Sequence, residues 1–427
     1  MAMIRWLATL TLLGIVGCHQ SPTVSRVRVW SMWTGDEGRI FRNVLAEYAL
    51  TQPGLTFENV STYGADDKTI RAIIGGAPPD LCTVAEPSMV GQLAASGAAM
   101  PLDELFAQAG LQRSAITSGA LGQCVYQGKL YALPYLVDCY GLLWNQSAFA
   151  EVGLDPQTPP RTLEELQQFA VRLTRRDQAG ELRRLGCQFT AERYGLLVSI
   201  FGGRLYDGAG DRITADDPRN VAALTWWKAL MDEQGGLPRV NRFAEGFGQS
   251  QSPNNPFFAG KIAMLVSGQW NPFWAFTYAP KLHYGAGAVP GLTATGQPHA
   301  WLGGNFFLIP TGSRHVKPAW EFMVWMQSDR AQHRFADTMH GVPHTFTALR
   351  DQALRAPTES WRPPFGRFMD IAGSSNAAHF PVLPIAGFYD KQMQNAFEAV
   401  GNGKKSPANA LRDVQQRVSA EYAKWQR

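Results

Sequence analysis

The sequence lacks any apolar run long enough to cross a membrane, and it lacks a strong excess of charge. Its 427 residues carry a formal net charge of +4, and 17% of them are acidic or basic. This mild balance, without a dense block of Lys or Arg, argues against a nucleic-acid binder. With 45% apolar residues the chain is globular rather than disordered. The length suggests two or three domains, or one large unit with two lobes.

Several catalytic and metal-binding motifs are also missing. No C-x-x-C, H-E-x-x-H, G-x-S-x-G or G-x-x-x-x-G-K-[ST] pattern occurs, so metal, redox, serine-hydrolase and P-loop chemistry have no support. His333, His340 and His344 are close in sequence, but their spacing is more typical of a solvated helix end than of a metal site. We therefore expect no metal and no cofactor.

Cysteine is scarce. Cys18 stands apart near the start of the chain, and the other four are Cys82, Cys124, Cys139 and Cys187. An even number in an oxidising compartment permits disulfides. We favour small buried apolar side chains for most of these four cysteines, and their pairing stays open.

The first residues have the composition of an export signal. Arg5 supplies one positive charge, and Leu7–Val16 is apolar apart from two threonines. A spanning helix needs roughly 20 apolar residues, so this stretch is too short to cross a bilayer. A charged start followed by a short apolar core is typical of a secretory signal peptide.

The end of this apolar run resembles the lipobox of bacterial lipoproteins. Its last residues are Ile15-Val16-Gly17-Cys18. The resemblance implies that residues 1–17 are removed, that Cys18 is acylated, and that residues 18–24 link the lipid anchor to the folded part. A plain signal peptide with an incidental cysteine is the alternative.

Aromatic residues are abundant, with 13 Trp, 23 Phe and 12 Tyr. Several tryptophans stand in segments rich in Gly, Pro and Asn, where they are poorly placed for a core and well placed to line a cleft. These tryptophans are Trp30, Trp33, Trp270, Trp274 and Trp301.

The hydrophobic periodicity predicts an α/β fold. Residues 25–33 alternate like a strand, helical spacing follows from Ile40 to Tyr48, and "LTFENV" predicts a second strand. Thr34 and Glu37 are spaced as a capping box at the start of that helix. This alternation builds a mostly parallel sheet with helices on both faces. The extended stretches "ALPYLVD" and "YGAGAVP" lie between such blocks and can serve as hinges.

Five segments, in this order, resemble the extracellular solute-binding proteins of ABC importers, in the sugar-binding branch that includes maltose-binding protein. They are "AIIGGAPPDLCTVAE", "ASGAAMPLDEL", "YQGKLYALPYLVDCYGLLWN", "FFAGKIAMLVSGQW" and "GNGKKSPANALRDVQQRV". The resemblance covers nearly all of the chain after residue 17. It implies the two-lobed, type II periplasmic-binding-protein fold, in which each lobe has a mixed, mostly parallel sheet flanked by helices and hinge segments join the lobes.

This fold implies approximate boundaries for the lobes. We expect lobe 1 to comprise residues 25–134 and 286–345, and lobe 2 to comprise residues 138–283 and 350–427. We expect hinges near 134–138, 284–289 and 345–350.

The ligand is then expected in the cleft between the lobes. Trp270 follows a strand directly and stands at the position of the family's loop tryptophan. Tyr389 resembles an aromatic position that stacks on sugar in this family, although Phe388 could face the cleft in its place. The other candidates for ligand contact are Trp33, Thr34 and Gly35 in the first strand-to-helix turn, Tyr63, Glu86 after a strand, Tyr135 and Asp138 at the first hinge, Trp301, the Gly303-Gly304-Asn305 turn, and His344.

The resemblance predicts a monomeric binding protein without enzyme activity. It would be anchored outside the cytoplasmic membrane and deliver a carbohydrate, more specifically an oligosaccharide, to a membrane permease with a cytoplasmic ATPase. A secreted carbohydrate hydrolase is the alternative from another class, and it needs two carboxylates about 5–10 Å apart. A lipid-anchored sugar sensor without a transporter is the other alternative. The identity of the sugar stays open, and a glycerol-phosphate diester is not excluded.

Overall fold

The computed structural model describes residues 25–62, 66–85, 87–247, 251–295 and 298–426, without the side chains of residues 66–68 and 87. The predicted signal peptide and linker (1–17 and 18–24), the lipidation site Cys18, and the site candidates Tyr63 and Glu86 lie outside the described residues.

Fourteen strands are present in the described residues. They are β1 Ser25–Ser31, β2 Leu55–Ser61, β3 Leu81–Val84, β4 Val125–Tyr126, β5 Lys129–Leu130, β6 Leu133–Asn145, β7 Arg175–Arg176, β8 Leu182–Gln188, β9 Tyr206–Asp207, β10 Arg212–Ile213, β11 Ile262–Gly268, β12 Tyr284–Gly287, β13 Ala300–Leu308 and β14 Ala377–Ala378.

Seventeen α-helices surround the strands in the same part of the chain. They are α1 Gly35–Leu50, α2 Asp66–Ile74, α3 Pro87–Ala95, α4 Asp103–Gln108, α5 Ser118–Gly122, α6 Gln146–Glu151, α7 Leu163–Leu173, α8 Tyr194–Ile200, α9 Pro218–Glu233, α10 Leu237–Glu245, α11 Asn271–Tyr278, α12 Val316–Trp325, α13 Asp329–Met339, α14 Phe346–Leu349, α15 Arg362–Ala372, α16 Ala386–Gly401 and α17 Pro407–Tyr422. Within the described ranges, none of these helices has both the length and the apolar character that crossing a membrane requires.

The α/β prediction is confirmed. Ten strands form one mixed sheet in the order β2-β1-β3-β13-β6-β11-β8-β7, with β12 beside β6 and β14 beside β13. The strands β2, β1 and β3 are parallel and define the first half of the sheet, and the parallel pair β8 and β11 defines the second half. Thr34 is the N-cap residue of α1, but its side chain makes no capping hydrogen bond.

The antiparallel pair β6 and β13, here called the central ribbon, joins the two halves. Residues 133–137 of β6 pair with residues 304–307 of β13, which itself continues along β3. Residues 140–144 of β6 pair instead with β11 in the second half, and β12 adds to the same end of β6. One strand of 13 residues therefore belongs to both halves.

Each half has its own aromatic core. In the first half, the ring of Tyr135 stacks on Phe307 with the centroids 4.0 Å apart, and Phe41 packs beside both rings. In the second half, Trp227 packs on Phe397 at 5.1 Å. Because large rings bury large apolar areas, these clusters make each half rigid.

The four described cysteines are all buried and none of them forms a disulfide. Their interpretation as small apolar core residues is therefore confirmed. Burial raises the pKa of each thiol, because the thiolate loses solvation in the core.

The close approach of helix α7 to strand β8 depends on a glycine. A Cβ atom on Gly186 would lie 1.8 Å from the carbonyl oxygen of Ala170. We expect Gly186→Ala to lower the free energy of unfolding by about 3 kcal/mol, because the helix must move away from the sheet. Gly208→Ala is the control, since its Cβ would be 3.7 Å from the Tyr206 ring. Urea unfolding followed by circular dichroism measures both, and equal midpoints for the two variants would contradict this account of the packing.

Candidate ligand-binding cleft

A cavity of about 360 Å³ opens where the two halves meet over the central ribbon. The carboxyl ends of β3 and β8 point towards it, which is where open α/β sheets bind ligands. Its wall is formed by residues from both halves and from the ribbon: Ala85, Ser88, Asp138, Tyr140, Glu192, Arg193, Tyr194, Gly195, Trp301, Leu302, Gly303, Gly304, Phe380, Ala386, Gly387, Asp390 and Gln394.

Asp138 presents a carboxylate at the floor of the cleft. It pairs with Gly303 across the central ribbon, so both residues face the same side of the sheet. The side-chain amide of Gln269 donates to Asp138 Oδ1 at 3.0 Å. Loss of solvation raises the pKa of the Asp138 carboxyl, while the Gln269 hydrogen bond and the charge of Arg193 oppose that rise.

An aromatic corner adjoins Asp138. Tyr140 is two residues further along β6, so it shares the face of Asp138. The Arg193 guanidinium carbon lies 4.1 Å from the centroid of the Tyr140 ring, within the range of a cation–π contact. Trp270 packs edge-on against Tyr140 at 5.9 Å, and Trp274 lies 5.8 Å beyond it. The corner thus combines apolar ring faces with one fixed positive charge.

Trp301 forms the opposite part of the floor. It is two residues before Gly303 in β13, and a Cβ atom on Gly195 would lie 2.2 Å from its indole ring. The backbone of α8 therefore rests directly on the indole. Trp301 also borders a larger cavity of about 880 Å³ between the β4–β5 and β9–β10 turns. The smaller cavity is our candidate site, because the carboxyl ends of the parallel strands open into it.

A second carboxylate, Asp390, lies in the first turns of α16. The hydroxyl of Tyr194 donates to Asp390 Oδ1 at 2.8 Å, and the amide of Gln394 donates to Oδ2 at 2.7 Å. Burial raises the pKa of this carboxyl, and its two hydrogen bonds partly offset the rise. Both carboxylate oxygens are held in place, and their remaining lone pairs can accept from a ligand.

The structure brings four of the predicted contact residues into the cavity wall: Asp138, Trp301, Gly303 and Gly304. Trp270 lies behind Tyr140 in the aromatic corner. Thr34 and Gly35 are exposed at the start of α1, after the carboxyl end of β1. Gly35 has a φ of +53°, which favours glycine at that turn.

The structure does not bring Tyr389, predicted as a ligand contact, to the candidate cavity. Its ring is fully buried in the second half, and its hydroxyl donates to the carbonyl of Leu205 at 2.8 Å. Tyr389 belongs to the buried stripe of α16 with Met393 and Phe397. Phe388, the alternative, is 40% exposed but does not line the cavity.

Tyr135 and His344, also predicted as ligand contacts, are buried in the first half and do not line the candidate cavity. Tyr135 accepts a hydrogen bond from the indole of Trp33 at 3.0 Å. His344 is bonded through Nε2 to the side-chain oxygen of Gln327 at 2.8 Å, and burial lowers its pKa to about 3. Trp33 and Asn305 are buried as well and do not reach the cavity wall.

Sequence reasoning missed several residues that line the cavity. Tyr140 could have been found from the alternation of β6, since it follows Asp138 by two positions. Arg193 stands in the turn after β8, just as Trp270 stands in the turn after β11. The helical spacing of Tyr389, Met393 and Phe397 also indicated that Tyr389 faces the core. The remaining missed residues are Ala85, Ser88, Glu192, Tyr194, Gly195, Leu302, Phe380, Ala386, Gly387, Asp390 and Gln394.

Two solved structures are similar to this fold over nearly the whole chain. CpMnBP1 with mannobiose bound has a TM-score of 0.78 and 28% sequence identity, and the match covers 92% of this chain and 98% of that one. The same protein with mannotriose bound has a TM-score of 0.78 and 29% sequence identity, and the match covers 92% of this chain and 99% of that one. This likeness shows the type II periplasmic-binding-protein fold that the sequence resemblance implied.

Two curated relatives have lower sequence identity to this chain than these two solved structures. The maltotriose-binding protein of Pyrococcus abyssi is 20% identical over 71% of this chain, and the match spans 63% of that protein, less than two thirds of its length. The diacetylchitobiose-binding protein DasA of Streptomyces coelicolor is 22% identical over 92% of this chain and 87% of its own length. Residues 33–333 match the model of the bacterial extracellular solute-binding protein family. The chain therefore belongs to the bacterial extracellular solute-binding proteins.

Proposed function

We propose that this protein captures a carbohydrate, specifically an oligosaccharide, in the cleft between its halves and delivers it to an ABC permease. One observation carries the proposal. A cavity at the carboxyl ends of the strands is lined by residues of both halves, and the central ribbon and the second half supply its two fixed carboxylates and its aromatic rings. A ligand held there touches both halves at once.

The residues of the cleft suit the chemistry of a sugar. Sugar hydroxyls need hydrogen-bond partners, and the carboxylates of Asp138 and Asp390 can accept from them. The C–H faces of a sugar ring need an apolar surface, which Tyr140 and Trp301 provide with little loss of rotamer entropy. The volume of about 360 Å³ is at the small end of the range for ligand pockets, which favours a short oligosaccharide.

Similar proteins support this choice of ligand class. The two solved structures at 28% and 29% identity hold mannobiose and mannotriose. Both curated relatives compared above are named for the oligosaccharides that they bind. The matching family is one of solute-binding proteins, which supports capture without bond cleavage over the hydrolase alternative.

Capture would proceed by closure of two lobes. We propose lobe 1 at residues 25–134 and 286–345, lobe 2 at residues 138–283 and 350–427, and hinges near 134–138, 284–289 and 345–350. The central ribbon supports this division, because the pairing partners of β6 change from one half to the other around Asp138. A ligand that contacts both lobes shifts the equilibrium towards the closed form. The closed form then docks on the permease, and the partner ATPase drives transport.

The protein would act at the outer face of the cytoplasmic membrane or elsewhere in the cell envelope as a monomer held by a lipid on Cys18. A sensor without a transporter would use the same cleft. Finding a permease gene beside the gene for this chain would favour import over sensing.

Binding is tested by calorimetric titration of the mature protein with mannobiose, mannotriose and maltotriose. We expect saturable binding of at least one, with no release of monosaccharide after prolonged incubation. We expect Asp138→Asn to weaken that binding about 10- to 100-fold, because a hydrogen bond to a charged group contributes about 1.5–3 kcal/mol. The exposed Asp413 on α17 gives a control, and Asp413→Asn should leave the affinity unchanged. Full affinity in Asp138→Asn would remove this residue from the site, and cleavage of the sugar would favour the hydrolase.

The lipid anchor is tested by detergent phase partitioning of the protein expressed with its own leader. We expect the wild type in the detergent phase and Cys18→Ser in the aqueous phase or retained as an uncleaved precursor, because the thiol that carries the lipid is gone. Ser21→Ala keeps the lipobox and should partition like the wild type. Mature Cys18→Ser that remains in the detergent phase would show that another feature holds the protein to the membrane.

A further inference from the structure

The described wall of the cleft carries more negative than positive charge. Asp138, Glu192 and Asp390 contribute carboxylates, and Arg193 contributes the single guanidinium. Arg193 is already engaged, since it lies over the Tyr140 ring and its charge acts on Asp138. The imbalance therefore falls on the side of the cleft formed by Glu192 and Asp390.

Asp390 is built to present its charge to the cavity. Both of its hydrogen-bond donors, Tyr194 and Gln394, are neutral and hold one oxygen each. Among the described residues, no lysine or arginine forms an ion pair with Asp390. The negative charge of Glu192 raises the pKa of Asp390, and the positive charge of Lys391 lowers it by a smaller amount. The two hydrogen bonds fix the orientation of the Asp390 carboxylate, but no ion pair in the described part of the chain neutralises its charge.

The first half adds to the same field. Glu37 in the first turn of α1 is close enough to Asp138 for that charge to raise its pKa, after the larger effect of lost solvation. Asp138 on the floor, and Glu192 and Asp390 on the wall from the second half, give the cleft its negative charge. Glu37 adds a negative charge nearby without lining the cavity. An anionic ligand enclosed there would be desolvated beside like charges, which is strongly unfavourable.

Resting on the proposed carbohydrate-binding function, we propose that the cleft selects its ligand by charge and that Asp390 is a specificity-determining residue. The cleft admits uncharged saccharides and excludes saccharides or polyols that carry a carboxylate or phosphate. This separates neutral oligosaccharides from the glycerol-phosphate class that the sequence leaves open.

The experiment compares ligands of one shape and different charge. The mature protein is titrated with mannobiose, with its dimannuronate analogue oxidised at both C6 positions, and with glycerol 3-phosphate. The titrations are repeated with Asp390→Asn, and with Glu192→Gln as a second variant at an exposed position that cannot disturb the core. Asp413→Asn is the matched control for a loss of surface charge.

We expect the wild type to bind mannobiose at least tenfold more tightly than dimannuronate, with no measurable binding of glycerol 3-phosphate. The affinity ratio is the dissociation constant for dimannuronate divided by that for mannobiose. Asp390→Asn and Glu192→Gln should each lower this ratio by about threefold or more, because each improves the affinity for dimannuronate, whereas Asp413→Asn should leave it unchanged. Because exposed charges are screened by salt, the wild-type ratio should also shrink between low salt and about 0.5 M. In Asp390→Asn the ratio should depend less on salt than in the wild type, whereas a purely structural role of Asp390 would leave the salt dependence unchanged.

Two results would overturn the charge selection while leaving the carbohydrate function in place. One is equal or tighter binding of dimannuronate by the wild type, and the other is an affinity ratio that Asp390→Asn leaves unchanged, whatever Glu192→Gln does. Binding of glycerol 3-phosphate alone would overturn both the charge selection and the carbohydrate function. If none of the three probes binds, and mannotriose and maltotriose also fail to bind, both the carbohydrate function and the charge selection are contradicted.

Discussion

The pairing of β6 with β13 is the constraint on which the rest of this structure depends. Strand β6 runs from one half of the sheet into the other, and its register with β13 places Asp138 opposite Gly303 where the partners of β6 change. Because side chains alternate along a strand, the same register brings Tyr140 and Trp301 to the face of Asp138. Shifting the ribbon by one residue would turn this set away from the cleft and bury it against the helices behind the sheet.

The cleft has a floor formed by the central ribbon and one wall from each half. Asp138 on the ribbon is fixed by Gln269, and Asp390 on α16 is fixed by Tyr194 and Gln394. The hydrogen bonds that fix these carboxylates come from neutral donors in the second half, so their geometry does not depend on where the first half lies. In the proposed capture, a ligand would therefore meet a preorganised surface before the first half closes over it, which lowers the entropy lost on binding.

Much of the fold was predictable from sequence, whereas the site was predictable only in part. The alternation of strand and helix patterns in residues 25–62 is local, and it correctly predicted β1, α1 and β2. The position of Asp138 followed from its place in a long extended segment. Arg193 and Asp390 reach the cleft because α8 and α16 pack against parts of the chain that are distant in sequence. The local spacing of apolar residues does not indicate such packing. For Tyr389 the family position suggested a ligand contact, whereas the helical spacing of its own buried stripe directs its side chain into the core.

Small-angle X-ray scattering of the mature protein, with and without a saturating oligosaccharide that the titrations show to bind, tests the central claim most directly. If the ligand bridges two lobes that rotate about the central ribbon, the radius of gyration falls on binding and the scattering curve changes to that of a closed form. An unchanged radius and curve at saturation would contradict the account, because the two halves would then not move around the ligand.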